Sequence, residues 1–291
     1  TGRTGMNWDT LVSEQAFAKE LGRDDLRIVD ARFVLMNQDP AAGFIGYQAS
    51  HLPGAVYAHL NNDLSDLSRT GQGRHPLPDP IVFANTLGKW GITPKHQVVV
   101  YDAGDGSMAA ARLWWLLKLL GHARVAVLDG GLAAWRAAGL PETSEATQIA
   151  AAAEYPARFN SSVVVDADEV QSRLGEPPGW LLDARAPDRF RGEVEPLDAV
   201  AGHIPGAINR PYALNLRDGR FKPSAELRAE LVPLLMGQAS EAVVLSCGSG
   251  VTACHLLLAM EHAGLHGARV YAGSWSGWIS DPSRPVEQGS S

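Results

Sequence analysis

The chain has 291 residues, 45% of them apolar, which suits two globular domains that each bury their own core. A formal net charge of −7 with no lysine–arginine cluster argues against nucleic acid as the main partner, and no apolar run is long enough to span a bilayer. Only two cysteines occur, Cys247 and Cys254; they form no disulfide framework and no metal site, so no cofactor is expected, and with no secretory signal the setting reads as cytoplasmic.

Thr1–Gly5, ahead of Met6, read as a cloning remnant and are set aside. In the first half, strands are expected near 27–30, 54–57, 98–101 and 125–128, and helices near 13–21, 80–89, 108–120 and 131–138. Residues 142–162, rich in alanine and small polar residues, lack a strong period and read as a linker. In the second half, strands are expected near 180–183, 207–208, 242–246 and 268–271, and helices near 166–174, 224–235, 251–263 and 274–279. Fully apolar strands interleaved with helices predict an α/β fold of two tandem domains, 8–141 and 163–288, each a mostly parallel sheet flanked by helices. In such sheets the active loop lies beyond the C-terminal end of a strand.

The chain contains one unit twice. Asp30-Ala31-Arg32, then His51-Leu52-Pro53-Gly54-Ala55, then Val98–Tyr101 and a glycine loop recur as Asp183-Ala184-Arg185, His203-Ile204-Pro205-Gly206-Ala207, and Val243–Ser246 with its own loop. Two copies of this size are duplicated domains, since solenoid repeats are shorter and more numerous. Laid over each other, the copies put Ala103 opposite Cys247, so the first half lacks a nucleophile. His51 and His203 occur in both copies and read as structural.

Cys247-Gly248-Ser249-Gly250-Val251-Thr252 follows an apolar strand and opens into a helix. Converging backbone N–H groups and a helix start both stabilise an anion, so the thiolate nucleophile is favoured there. Cys254, one turn into the helix, reads as a small apolar packing residue. A phosphatase loop would need Cys-x5-Arg to clamp phosphoryl oxygens; the sixth residue after Cys247 is Ala253, which excludes that chemistry.

At these landmarks, from about residue 8 to 287, the chain resembles the two-domain rhodanese family of sulfurtransferases. The resemblance implies a silent N-terminal domain and a catalytic C-terminal domain whose cysteine carries sulfane sulfur as a persulfide. It implies a small-molecule sulfur donor and a thiol or cyanide acceptor, thioredoxin among the candidates. Cys247–Ala253 resembles the loop of members that use 3-mercaptopyruvate; thiosulfate users place Arg-Lys after the cysteine. The residues agree with that: thiosulfate is a compact dianion that needs cations beside the acceptor sulfur, and this loop has none.

In the resemblance Gly248, Gly250, Val251 and Thr252 line the substrate loop, and Arg189 matches the arginine that binds substrate. Arg191 is a second candidate anchor. Ser249 matches the serine of a proton relay whose histidine and acid come from the first half, here His75 and Asp63. One departure stands out: where the family places a second substrate arginine after Glu-Pro, this chain reads Glu195-Pro196-Leu197, leaving Arg191 or Arg210 as replacements. Thiosulfate transfer and a persulfide carrier without turnover remain the alternative readings.

Overall fold

The computed structural model describes residues 5–34, 39–104, 109–156 and 158–290. Its contacts divide the chain into two compact units. One holds the residues up to 65 together with 78–159; the other holds 66–77 together with the residues from 160 onward. Segment 66–77, first-half by sequence, therefore packs in the second unit.

The first unit runs β1 (Leu11–Val12), α1 (Glu14–Ala18), β2 (Leu26–Asp30), α2 (Ala42–Ala49), β3 (Ala55–Tyr57), α3 (Pro80–Lys89), β4 (Gln97–Tyr101), α4 (Ala109–Leu119), β5 (Val125–Leu128) and α5 (Gly131–Ala137). Its sheet has the order β1-β5-β4-β2-β3, every pair parallel. The second unit runs β6 (Val164–Val165), α6 (Ala167–Ser172), β7 (Leu181–Asp183), α7 (Pro187–Arg191), β8 (Ile208–Asn209), β9 (Leu216–Arg217), β10 (Arg220–Phe221), α8 (Ser224–Leu231), β11 (Val244–Ser246), α9 (Thr252–His262), β12 (Arg269–Tyr271) and α10 (Ser274–Trp278). Its sheet order, β6-β12-β11-β7-β8, is again parallel throughout, so the duplication read from sequence is a duplication of topology. A short antiparallel hairpin, β9–β10, is added through Asp218-Gly219, both in the left-handed region that such tight turns require.

Burial explains the apolar runs. Every residue of β4 and β5 is buried, as is α4 apart from Lys118, which packs on those two strands. The counterpart helix α9 is buried from Ala253 to Met260 and packs on β11 and β12. Large aromatics close the remaining space: Phe17 against Trp135 in one unit, Tyr271 against Trp278 in the other. Among the described residues, no helix is long and apolar enough to cross a membrane.

The recurring Asp-Ala-Arg and His-x-Pro-Gly-Ala landmarks prove to be one device. Arg32 binds the Asp30 carboxylate and donates to the Ser50 carbonyl (2.6 Å). Arg185 binds Asp183 and donates to the Gly202 carbonyl (2.7 Å). The next residue in each case is the repeated histidine. His51 stacks on Tyr47 and bonds its carbonyl; His203 stacks on Phe190 and bonds its carbonyl. Each histidine also makes an isolated antiparallel bridge with a distant stretch of backbone, His51 with Thr143 and His203 with Glu287. These contacts are those expected of histidines that hold the frame together.

Several elements escape the sequence reading. α2 contains two glycines and no side-chain N-cap, and α7 has five residues, too few to show a period. The helix expected over 224–235 ends at Leu231 and continues as a 3-10 turn, because Pro233 removes a backbone donor. In 142–162, Ala152 and Tyr155 donate to the carbonyls of Gly88 and Ala84, which ties that stretch to the first unit.

The buried His255 in α9 stacks on Phe221, and its Nε2 has no hydrogen-bond partner. Burial lowers its pKa to about 4, against a hydrogen bond to the Tyr212 backbone that works to raise it. The folded state holds the imidazole neutral, while the unfolded chain protonates it near the ordinary value of 6.5. Stability of the second unit is therefore full above that value and falls as pH drops from about 6.5 towards 4, by roughly 3 kcal/mol at the acid end. Denaturant midpoints measured across this range should decline, and His255→Phe should flatten the decline. A profile unchanged in the variant would assign the acid sensitivity elsewhere.

Candidate active site

The site is set at the end of β11. Ser246 pairs with Asp183 of β7, and its carbonyl accepts the Ala184 N–H at 2.9 Å. The next residue, Cys247, is 1% exposed and begins the loop into α9. The start of α10 holds that loop from the side. Trp275 N–H donates to the Cys247 carbonyl and Ser276 N–H to the Gly248 carbonyl, both at 2.9 Å. The fully buried Ser274 accepts the Cys247 N–H at 3.0 Å, and its hydroxyl lies 3.8 Å from Sγ. Gly250, at φ +90°, turns its N–H onto the Cys247 Sγ at 3.0 Å. Cys254 donates its thiol to the Gly250 carbonyl and is buried, which matches its reading as a packing residue.

The register corrects one alignment. In the first unit Ala31 N–H donates to the Tyr101 carbonyl, Leu132 N–H to that of Asp102, and Ala133 N–H to that of Ala103. These are the counterparts of the bonds to Ser246, Cys247 and Gly248. Asp102, not Ala103, therefore stands where Cys247 does. The loop glycines of the two copies are therefore offset by one position relative to the strands. The Asp102 carboxylate accepts the N–H groups of Gly104 (3.0 Å) and Ala110 (3.1 Å), so this position holds an anion in the first unit.

Ser249 and His75 come together: His75 Nδ1 lies 2.8 Å from Ser249 Oγ, with both residues buried. Asp63 belongs to the first unit, where its carboxylate accepts the His59 N–H at 2.8 Å. Burial raises its pKa, opposed by that hydrogen bond. Val251 and Thr252 form the start of α9, with no side-chain cap on the helix.

The arginines sort sharply. Arg189 is brought to the loop: a Cβ built on Gly248 would lie 3.4 Å from its Nη2. Arg191 is not among the loop's neighbours but makes a bidentate pair with the exposed Glu193, the ordinary surface pairing of such residues. Arg210 is spent on Asn215, the Leu214 carbonyl and Glu230. Sequence reasoning missed Arg74. Its Nη2 would lie 3.0 Å from the same Gly248 Cβ, and its side chain pairs with Asp198.

Behind these sits a compact charge network. Glu195 accepts the N–H groups of Leu197 and Asp198 at 3.0 Å each, pairs with Arg189 at 3.1 Å and lies 3.6 Å from Arg185. Burial works to raise the Glu195 carboxyl, but those donors and the Arg189 charge outweigh it and hold its pKa below the ordinary value. Burial likewise opposes the charge on Arg185, and Asp183, Glu195 and Cys247 together reverse that effect.

Comparison with known proteins agrees with this geometry. The rhodanese-like domain family matches residues 13–138 and again 166–281. A Pseudomonas aeruginosa protein named "Probable 3-mercaptopyruvate sulfurtransferase" is 49% identical over 96% of this chain and 98% of its own length. A Mycobacterium tuberculosis protein named "Putative thiosulfate sulfurtransferase SseB" is 42% identical over 91% of this chain and 92% of its own. The crystal structure of a 3-mercaptopyruvate sulfotransferase from Escherichia coli superposes with a TM-score of 0.79 at 32% identity, covering 93% of this chain and all of that one. A doubled parallel α/β sheet with a cysteine loop on the second copy thus defines a class, and the chain belongs to the rhodanese family as a two-domain protein. It is a sulfurtransferase enzyme.

Ser274 is both a hydrogen-bond partner of Cys247 and a residue at φ +51°, a conformation costing a non-glycine residue about 1–2 kcal/mol. Its counterpart in the first unit, Gly131 (φ +58°), carries no such cost. Ser274→Ala keeps the strain and loses the hydroxyl, and should be less stable than Ser274→Gly, which loses the hydroxyl and the strain together. Both should turn over more slowly than the native protein. Equal thermal midpoints for the two variants would show that the backbone conformation is not a constraint.

Proposed function

We propose that the protein moves sulfane sulfur from 3-mercaptopyruvate to a thiophilic acceptor, cyanide or a thiol such as that of thioredoxin, through a persulfide on Cys247 in a cytoplasmic setting. In this reading the domain at 163–288 is catalytic, the domain at 8–141 is silent, and 142–162 links them. The observation that carries it is the buried Ser249–His75 hydrogen bond beside a cysteine whose sulfur accepts a backbone N–H. A donor whose sulfur is a thiol on carbon needs a proton moved during transfer, and a hydroxyl bonded to an imidazole can move one.

The Cys247 sulfur attacks the donor sulfur, and the carbon–sulfur bond breaks with its electron pair left on carbon. Pyruvate departs as its enolate and takes up one proton at that carbon. The Ser249 hydroxyl, restored through His75, is placed to deliver it. Cys247 keeps the transferred sulfur as a persulfide. An acceptor thiolate or cyanide then attacks the outer sulfur, and Cys247 leaves as thiolate.

The names carried by several relatives support this donor. Thiosulfate is the second reading, favoured by the Mycobacterium tuberculosis relative's name and by two guanidinium groups next to Gly248.

Cys247→Ser should abolish turnover and Cys254→Ser should leave most of it. Mass spectrometry after donor treatment should find one added sulfur on Cys247; a persulfide on Cys254 alone would reverse the assignment. Steady turnover, rather than one sulfur delivered per chain, separates the enzyme from a carrier.

His75→Ala should lower kcat with 3-mercaptopyruvate by about 10²–10⁴-fold, the usual contribution of a positioned acid–base group. It should affect thiosulfate turnover far less. Assaying both donors side by side with one acceptor measures this, and equal losses would remove the relay from the mechanism.

A further inference from the structure

We propose that Arg74 and Arg189 form a two-armed clamp for the carboxylate of the sulfur donor, and that Asp198 occupies the clamp until the donor displaces it. This rests on the mercaptopyruvate reading and assigns roles to two residues, Arg74 and Asp198, that the sequence did not single out.

Both guanidinium groups lie against Gly248, the residue after the nucleophile. From the position of a Cβ on Gly248, Arg74 Nη2 would be 3.0 Å away, Arg189 Nη2 3.4 Å and Arg189 Nη1 3.6 Å. Such a spot suits the carboxylate of a short donor, one end held by arginines and the other facing sulfur. The two arginines meet on one carboxylate. Arg74 Nη1 pairs with Asp198 Oδ1, and Arg189 Nη2 lies 3.4 Å from Oδ2. A donor carboxylate bridging the same two groups would take the position that Asp198 holds.

The two nearby acids are held differently. Glu195 is fixed by two backbone N–H groups as well as by arginines. The Asp198 carboxylate has only Arg74 and Arg189 as partners among the described residues, and it sits in a bend without regular structure. It can leave without breaking a backbone contact. Arg189 also has capacity in reserve: its Nε is buried and bonded to nothing. Leu197 stands where the resemblance expects a second substrate arginine, and Arg74 supplies the charge from segment 66–77 instead.

Arg74 is positioned by the loop's own support. Its backbone N–H donates to Ser276 Oγ at 3.0 Å, and the Ser276 N–H holds the Gly248 carbonyl. Gly73, just before it, packs so closely that a Cβ there would lie 2.5 Å from the Gly273 carbonyl oxygen. The charges balance as well: Arg74, Arg185 and Arg189 face Asp183, Glu195 and Asp198. One incoming carboxylate keeps that balance when it replaces Asp198.

The test measures pyruvate, the carboxylate-bearing product, by calorimetric titration of the full chain, alongside steady-state turnover of 3-mercaptopyruvate. Asp198→Asn removes the resident charge and keeps the shape; pyruvate should bind about tenfold more tightly, and KM for 3-mercaptopyruvate should fall with kcat little changed. Arg74→Gln and Arg74→Ala should each weaken pyruvate at least tenfold, with Arg74→Lys between them and the native protein. Persulfide formation on Cys247 at saturating donor should persist in the Arg74 variants, which separates lost binding from lost folding. Pyruvate affinity insensitive to Arg74, or no tighter in Asp198→Asn, overturns the clamp. If the clamp responds as described but 3-mercaptopyruvate is not turned over, the donor assignment fails and the clamp stands for another carboxylate-bearing donor.

Discussion

The active loop depends on a buried ion pair that never touches it through its own carboxylate. Asp183 ends β7, and its charge holds Arg185, which in turn grips the Gly202 carbonyl ahead of His203. The same guanidinium lies 5.1 Å from the Trp275 ring centroid. Trp275 donates its backbone N–H to the Cys247 carbonyl, and its indole N–H to the Val200 carbonyl. One charge thus ties together the strand end, the repeated histidine, the start of α10 and the bend that carries Asp198. Removing one partner of such a pair typically costs about 3–5 kcal/mol, because the other is left buried and unpaired. Asp30 and Arg32 make the matching pair in the first unit, which is why the motif recurs in the copy that has Asp102 where the second has Cys247.

Within their shared frame the two copies differ in chemistry at the end of the central strand. Where the second has Cys247, the first has Asp102, and in both a backbone N–H from the following loop reaches the side chain. The frame is a cradle for negative charge at the end of a parallel strand. A carboxylate fills it in the first unit; on the proposed reading the cysteine sulfur that fills it in the second can also attack, leave and return. On the proposed reading, catalysis by one copy and silence of the other need no difference in fold.

Much of this was legible in the sequence because it is local. β4 and β11 are short apolar runs ending at glycine loops, and the landmarks recur in order. The pairing of Ser249 with His75 came from resemblance, since nothing local joins residues so far apart. Arg74 stayed hidden for a related reason. It sits in a glycine-rich stretch, and the partners that give it meaning, Asp198 and Ser276, lie in the distant second half. Nothing in the sequence marks Ser274 by itself, and only its counterpart Gly131 points to a left-handed position there. Ala103 faces Cys247 when the glycines of the two loops are matched, whereas the hydrogen-bond register of the strands puts Asp102 there.

Hidden Arg74 also changes the electrostatic argument about donors. The loop itself carries no cation, but two guanidinium groups stand over it, so a neutral loop is not a neutral site. What separates donors is how those cations are already matched. A compact dianion adds two negative charges where Asp198 releases one, and it brings them next to the cysteine sulfur. A donor with one carboxylate, set apart from its sulfur, exchanges charge for charge with Asp198 and leaves the sulfur end free for Cys247. On the clamp proposed here, selectivity follows from the acids that hold the arginines as much as from the arginines themselves.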